Sequence, residues 1–127
     1  MKIYVLGAVG SADANIEEIF GVYKKALSKK HEVLGTPIET SKFQGTDEER
    51  FVRAENFVKT CDAVVADMSA VSTGAGIELG MAHLLGKKIF VLAKEGSKVS
   101  ALIKGMPHEM VEFYHDFVDL YSKLEKI

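Results

Sequence analysis

The sequence predicts a doubly wound α/β domain, with a five-stranded parallel sheet of the Rossmann-like (flavodoxin) type and helices on both faces. Short, almost wholly apolar runs alternate with longer amphipathic stretches along the 127 residues, which is typical of strands joined by crossover helices. The strand runs show little polar alternation, which indicates that the sheet is covered on both sides. No linker, repeat or low-complexity segment divides the chain, so a single domain over 1–127 is expected.

Five short apolar runs are the predicted strands. They cover residues 3–6, 33–34, 63–66, 89–93 and 110–114. Aliphatic, β-branched and aromatic residues dominate these runs, as expected for buried strands. Pro37 is expected to help end the second strand, and the polar stretch 39–45 is expected to be a mobile loop.

Two amphipathic stretches in the N-terminal half are predicted helices. Asp13 is the predicted N-cap of the first, whose apolar residues recur at the helical spacing up to Leu27. Thr46 and Glu49 form a capping box for a second helix that runs to about Thr60. This second helix is expected to bury Phe51, Ala54, Phe57 and Val58.

The C-terminal half contains three further helical segments. A third helix is predicted over 77–85, and Gly86 is in position to end it as the left-handed C′ residue. Residues 97–104 are expected to form a short helix or turn. A closing helix over 116–126 completes the predicted domain.

Charge and composition exclude several classes of protein. Sixteen basic and eighteen acidic residues give a net charge of −2, and a binder of nucleic-acid backbones needs a basic surface instead. Cys61 is the single cysteine, so the chain forms no internal disulfide. The first apolar run is too short for a signal segment or a membrane span. These features predict a cytoplasmic protein that binds neither nucleic acid nor a membrane.

The two most glycine-rich loops mark the predicted ligand site. In parallel sheets, ligands bind beyond the carboxyl ends of the strands, where the strand order reverses. With the order 2-1-3-4-5, the loops after Leu6 and Ala66 face each other across one crevice. Two such loops favour a nucleotide-sized pocket, although each glycine alone is explained by a tight turn. Neither loop has a P-loop or a dinucleotide signature, so NAD binding is disfavoured.

Glu78 is the most informative side chain. It lies in the first turn of the predicted third helix, which is an ordinary place for a carboxylate because of the helix dipole. It also shares a helix stripe with Ala82 and Leu85, so we expect it to be half-buried at the crevice. Such a carboxylate is able to attack an electron-poor carbon, and adjacent N–H groups are expected to keep it ionised. The Tyr4 hydroxyl either orients this carboxylate or belongs to a satisfied core aromatic.

Other polar residues near the crevice leave two interpretations open. Asp67 either binds a sugar hydroxyl or caps its own loop through backbone N–H groups. Ser72 is either a helix N-cap or a phosphate ligand, since both roles use the same geometry. The four histidines lack metal-ligand spacing and no second cysteine exists, so neither a metal site nor a cofactor is predicted.

Two blocks in the second half of the chain carry a family resemblance. They are residues 61–69, Cys-Asp-Ala-Val-Val-Ala-Asp-Met-Ser, and residues 72–82, Ser-Thr-Gly-Ala-Gly-Ile-Glu-Leu-Gly-Met-Ala. Together they resemble the central signature of the nucleoside 2-deoxyribosyltransferase superfamily, and within it the 2′-deoxynucleoside 5′-phosphate N-hydrolase branch. Residues 3–7 and 99–105 are similar to that branch as well.

The resemblance implies retaining cleavage of the N-glycosidic bond of a small-molecule deoxynucleotide, without a cofactor. Glu78 would be the nucleophile that attacks C1′ of the deoxyribose, with Tyr4 beside it. Ser72 and, in a homodimer, Ser100 supplied by the other subunit would bind the 5′-phosphate. The remaining substrate-binding positions implied by the resemblance are Gly7, Ala8, Val9, Gly10, Asp67, Gly74 and Gly76.

The sequence departs from the hydrolase pattern at a few positions. Ala8 and Gly10 stand where the branch has serine and arginine, so a bidentate phosphate contact is missing. Ala54 replaces an aspartate, and Ile77 replaces the tyrosine before the nucleophile. Two alternatives therefore accompany the hydrolase interpretation: a deoxyribosyltransferase, and a non-catalytic nucleotide-binding module.

Overall fold

The structure is a computed structural model that describes residues 1–9 and 15–127. Five parallel strands form one sheet in the order β2-β1-β3-β4-β5, as predicted. The strands are β1 (Lys2–Gly7), β2 (Glu32–Gly35), β3 (Ala63–Asp67), β4 (Lys88–Lys94) and β5 (Met110–Tyr114). The helices are α1 (Ile16–Leu27), α2 (Pro37–Lys42), α3 (Asp47–Thr60), α4 (Thr73–Leu84), α5 (Ala101–Gly105) and α6 (Phe117–Glu125). The doubly wound α/β architecture is confirmed.

Hydrophobic cores lie on both faces of the sheet. Alternate side chains of β1 enter different cores: Ile3 and Val5 face α1 and α6, whereas Tyr4 and Leu6 face α3 and α4. All five residues of β3 are buried, which explains its unbroken apolar run. Each fully buried valine, leucine or isoleucine contributes about 1.5–3 kcal/mol to folding. The sheet is therefore packed on both faces, and the loops that follow β1 and β3 lie at its carboxyl edge.

The segment after β2 folds as a helix rather than as the expected mobile loop. The Thr36 N–H donates to Glu39 Oε2 at 2.6 Å, and Pro37 occupies the first turn, where its missing N–H costs nothing. Lys24 of α1 donates to Glu39 Oε1 at 2.7 Å, which ties α2 to the body of the domain. The loop prediction was wrong for residues 39–42, because Pro37 begins a helix here instead of only ending a strand, whereas residues 43–45 lie outside any helix or strand.

Helix α4 begins four residues before the predicted start. Ser72 is its N-cap, and its Oγ accepts a hydrogen bond from the Ala75 N–H at 3.1 Å. Gly74 and Gly76 therefore lie inside the first turns of the helix rather than in a loop, and Glu78 lies in the second turn. Gly86 follows the helix with φ of 70°, which confirms its predicted role as the C′ residue.

Two further predictions about helices have mixed outcomes. On α3, Val58 is fully buried, but Phe51 is 51% exposed, so its predicted burial is wrong. The buried face of α3 follows the line through Ala54 and Val58 and leaves Phe51 toward solvent.

Gly10 and the predicted N-cap Asp13 lie outside the described residues. Within the described parts of the chain, no helix is long and apolar enough to cross a membrane.

Thr46→Ala is expected to destabilise the domain by about 1 kcal/mol, because it removes the cap of α3. The Thr46 hydroxyl accepts from the Glu49 N–H at 3.1 Å, and the Thr46 N–H donates to the Glu49 carboxylate at 3.1 Å. Urea denaturation measures the change. Thr60→Ala is the matched control, since the Thr60 hydroxyl donates to the Asn56 carbonyl of the same helix and caps no helix start. An equal loss in both variants would contradict the capping argument.

Candidate active site

Glu78 presents a half-buried carboxylate near the carboxyl edge of the sheet. Its Oε2 atom is buried and has no hydrogen-bond partner among the described residues. Burial raises the pKa of Glu78 above its ordinary value, while a hydrogen bond with Tyr4 and the charge of Arg53 oppose that rise. The expected help from free N–H groups is absent, because the second turn of α4 uses its N–H groups within the helix.

Tyr4 lies beside Glu78 and is fixed from two sides. Its side chain is 2% exposed, and its ring stacks on Phe57 of α3 at 4.8 Å with an angle of 10° between the planes. The Tyr4 hydroxyl hydrogen-bonds with Glu78 and with Thr40 of α2. Burial and the negative charge of Glu78 raise the pKa of Tyr4 far above its usual range, so this hydroxyl remains a hydrogen-bond donor.

Arg53 of α3 completes this side of the site. Its guanidinium lies 4.9 Å from the centre of the Phe43 ring and 4.8 Å from that of Phe57, in cation–π geometry. Its Nη1 atom donates to Thr40 Oγ1 at 3.1 Å. Sequence reasoning missed Arg53, Thr40 and Phe43. The available signal was the spacing of Arg53 and Phe57, four residues apart on one helix face.

A second group of predicted residues lines a cavity of about 420 Å³ between the start of α4 and the segment before α5. Ser72, Gly76 and Ser100 of the same chain all line it, together with Lys98. A Cβ atom added at Gly74 or Gly76 would meet nothing within 4 Å, so the backbone is open to close approach there. Glu78 does not line this cavity: it follows Gly76 by two residues on α4, and residues two apart on a helix point to different sides.

The described start of the first loop, residues 7–9, lies on the α1 side of the sheet. A Cβ atom at Gly7 would come within 2.5 Å of the Phe20 ring and 3.1 Å of the Asp67 carbonyl oxygen, so only glycine fits there. Ala8 and Asp67 line a cavity of about 250 Å³ on this side. Val9 is partly exposed. The structure therefore does not place this end of the loop in the same cavity as Ser72.

Asp67 is held by protein donors on both of its oxygens. The Tyr23 and Tyr114 hydroxyls donate to Oδ2 at 2.8 and 2.9 Å, and the Ser69 N–H donates to Oδ1 at 2.9 Å. The side chain is 5% exposed. Of the two interpretations left open by the sequence, the structure shows the cap of the loop, through the Ser69 N–H. The Tyr23 and Tyr114 hydroxyls add two further hydrogen bonds to the same carboxylate. Within the described residues, no group of acidic, histidine or cysteine side chains is arranged to hold a metal ion.

Comparison with known proteins supports the fold by structure rather than by sequence. No known protein family and no curated protein matches the sequence. Clostridium botulinum CMP N-glycosidase, BcmB, superposes with a TM-score of 0.78 at 21% identity, over 99% of this chain and 98% of that one. A 2-deoxyribosyltransferase from Bacillus psychrosaccharolyticus superposes with a TM-score of 0.72 at 20% identity, over 98% and 96%.

A further 2-deoxyribosyltransferase, from Leishmania mexicana, has a TM-score of 0.60 at 23% identity and covers 79% of this chain and 74% of its own. Identities this low establish architecture and leave activity to be argued from the site. The chain thus has the same fold as these N-glycosidase and 2-deoxyribosyltransferase structures.

Proposed function

We propose that this protein is an N-glycosidase that hydrolyses 2′-deoxynucleoside 5′-monophosphates to free base and 2-deoxyribose 5-phosphate. The observation that carries the proposal is the Glu78 carboxylate, half-buried beside Tyr4 with one oxygen unpartnered among the described residues. A half-buried carboxylate with one unpartnered oxygen costs stability, and such costs persist where a side chain serves chemistry. The likeness to CMP N-glycosidase and to 2-deoxyribosyltransferases supports the same reaction class.

The reaction proceeds in two displacements at C1′. A Glu78 oxygen attacks C1′, the C1′–N bond breaks with its electron pair on the base, and a sugar–Glu78 ester forms. Water then attacks C1′, the ester bond breaks, and the carboxylate is restored; the proton released from water balances the charge carried by the departed base. Tyr4 orients the attacking carboxylate through its hydroxyl. Because deoxyribose lacks a 2′-hydroxyl, the bond is labile, and position and charge suffice.

The 5′-phosphate is assigned to the cavity at the start of α4, where Ser72 lies. Lys98 lines the same cavity and brings a positive charge, whereas Ala8 and Gly10 provide no side-chain donor in the first loop. The N-terminus of α4, at Ser72, adds N–H groups that favour an anion.

The proposal includes a homodimer in which Ser100 serves the neighbouring site. Val71 and Leu102, which are 93% and 85% exposed, line the same cavity and would be covered by a second copy. Sedimentation at working concentration is expected to show a dimer. A strictly monomeric active enzyme would remove the partner's contribution from the proposal.

Base release is expected to fall on the acid side at a higher pH than an ordinary carboxylate would dictate. Attack needs the ionised form of Glu78, and burial raises the pKa of this group. Activity is therefore present above that raised pKa and is lost as the pH falls through it. The profile of kcat/KM against pH tests this, and a flat profile across the acid range would count against Glu78 as the nucleophile.

Chromatography of products from a nucleotide panel is the direct test. The panel contains deoxynucleoside monophosphates, the corresponding deoxynucleosides, and ribonucleotides including CMP. Release of base from the deoxynucleoside monophosphates alone is expected. Release from CMP in preference to its deoxy counterpart would overturn the sugar assignment, and equal release from deoxynucleosides would overturn the phosphate assignment. No release from any member would overturn the proposed hydrolysis.

A deoxyribosyltransferase is the second candidate, because a structure of that activity superposes over 98% of the chain. Both enzymes pass through the same sugar–enzyme ester and differ in whether water or a second base accepts the sugar. Adding a second base to the reaction separates them: a new nucleotide identifies the transferase, whereas free sugar phosphate alone identifies the hydrolase.

A further inference from the structure

We infer that Arg53 and Thr40 are positioning residues of this site: with Tyr4 they form a chain of hydrogen-bond donors that ends on Glu78 and presents positive charge to its carboxylate. This inference rests on the proposed function for its catalytic consequence. The arrangement itself consists of contacts between α2, α3, β1 and α4, and these contacts do not depend on the proposed function.

The hydrogen bonds run in one direction. Arg53 Nη1 donates to Thr40 Oγ1 at 3.1 Å. The Thr40 hydroxyl hydrogen-bonds to the Tyr4 oxygen and lowers the pKa of Tyr4, as a donor to that oxygen does. The Tyr4 hydroxyl in turn hydrogen-bonds to Glu78, which raises the pKa of Tyr4 and lowers that of Glu78. Each hydroxyl thus has one acceptor role and one donor role, and such chains polarise their members.

Aromatic packing holds the same groups in place. The Arg53 guanidinium lies at cation–π distance from both Phe43 and Phe57, and Phe57 stacks on the Tyr4 ring. Arg53 is therefore fixed through two rings and one hydroxyl before any ligand binds. Fixed charges of this kind act on a half-buried carboxylate more strongly than mobile surface charges do.

The charge of Arg53 has a specific task at this site. Within the described residues, the titratable groups that act on Glu78 are Tyr4 from β1 and Arg53 from α3. Burial alone favours the protonated carboxyl, which is not a nucleophile. Arg53 is the one cation of this pair, and Ala54 beside it adds no competing negative charge. It therefore lowers the pKa of Glu78 and increases the ionised fraction of this carboxylate.

The test compares Arg53→Met, Arg53→Lys and Thr40→Val with the wild type. Lys59→Met is the matched control, because it removes one positive charge from the exposed side of the same helix. Two readouts are used: kcat as a function of pH with the deoxynucleotide that the wild type turns over fastest, and the titration of Glu78 by carboxyl 13C NMR. Thermal melts confirm that each variant is folded.

Arg53→Met is expected to move the acid limb of kcat and the Glu78 titration to higher pH, with a loss of roughly tenfold on the acid limb that shrinks towards the plateau. Arg53→Lys should restore the position of both curves, and Lys59→Met should leave them unchanged. Thr40→Val should cost roughly fivefold in kcat, the size of one hydrogen bond. It supplies the test if Arg53→Met does not fold.

Certain results would overturn the inference. An equal loss at every pH in Arg53→Met and Arg53→Lys would reduce Arg53 to a packing role, and an unmoved Glu78 titration would do the same. Full activity in Thr40→Val would break the donor chain. If the wild type releases no base from any nucleotide, the proposed function fails, but the NMR titration still decides whether Arg53 acts on Glu78.

Discussion

Glu78→Gln is expected to abolish base release, with kcat lowered by about 10³-fold or more, because the amide is not a nucleophile and no sugar ester can form. The substitution keeps the size of the side chain, so the cleft and the Tyr4 contact retain their shape. Chromatography of the nucleotide panel measures the loss. Intact-mass measurement of the wild type during turnover should also detect a sugar phosphate adduct that the variant lacks.

The same variant should fold at least as well as the wild type. A half-buried carboxylate with an unpartnered oxygen is a cost to the folded state, and a neutral amide reduces the charge that must be desolvated. Lost activity at equal or higher melting temperature would identify a chemical role, whereas lost activity with lost stability would not. Glu17→Gln on the exposed surface of α1 is the control and should change neither quantity. Substantial turnover by Glu78→Gln would remove this residue from the mechanism.

The strands and their order followed from the sequence because burial on both faces leaves a strong local signal. The run Ala63-Val64-Val65-Ala66 is fully buried in the structure, and a strand of this kind reads as continuous apolar sequence. The order of the strands followed from the general behaviour of alternating α/β chains. These features depend on composition over several residues, so no single contact decides them.

Helix boundaries near glycine and proline were less predictable. Gly74 and Gly76 suggested a loop, but the Ser72 cap and the packing of α4 on the sheet outweigh the cost of two glycines in the first turns. Helix α2 has a polar sequence that resembles a loop, but its start carries a recognisable helix signal. Thr36, Pro37 and Glu39 form a capped first turn. Recognition of that cap would have replaced the expected loop by a helix.

The sequence identified only some of the residues of the candidate site. Glu78 and Tyr4 were identified by motif and position, and the structure brings them together. Arg53 and Thr40 were not identified, since one lies on a charged helix and the other in a segment that looked like a loop. Their juxtaposition depends on how α2 and α3 pack against β1, with Phe43 and Phe57 setting the place of the guanidinium. Long-range packing of this kind has no local sequence signature.

Asp67→Ala is expected to destabilise the domain by about 3 kcal/mol, because it removes the shared acceptor of two buried tyrosine hydroxyls. Tyr23 and Tyr114 have no exposed surface, so water cannot replace the carboxylate without opening the core around α1 and β5. The melting temperature should fall by roughly 10 °C for a domain of this size. Urea and thermal unfolding at neutral pH provide the measurement.

The choice of companion variants separates this structural role from sugar binding. Asp62→Ala removes a carboxylate that, among the described residues, accepts from the Lys2 N–H at the exposed start of β1, and it should cost about 1 kcal/mol or less. Asp67→Asn keeps an acceptor in the network, so its loss of stability should be smaller than that of Asp67→Ala. If Asp67→Asn were as stable as the wild type but raised KM many-fold, Asp67 would be a ligand for substrate and the network a secondary effect. Because both Asp67 oxygens already accept from protein donors, we expect the opposite: a clear loss of stability with KM nearly unchanged in the folded fraction.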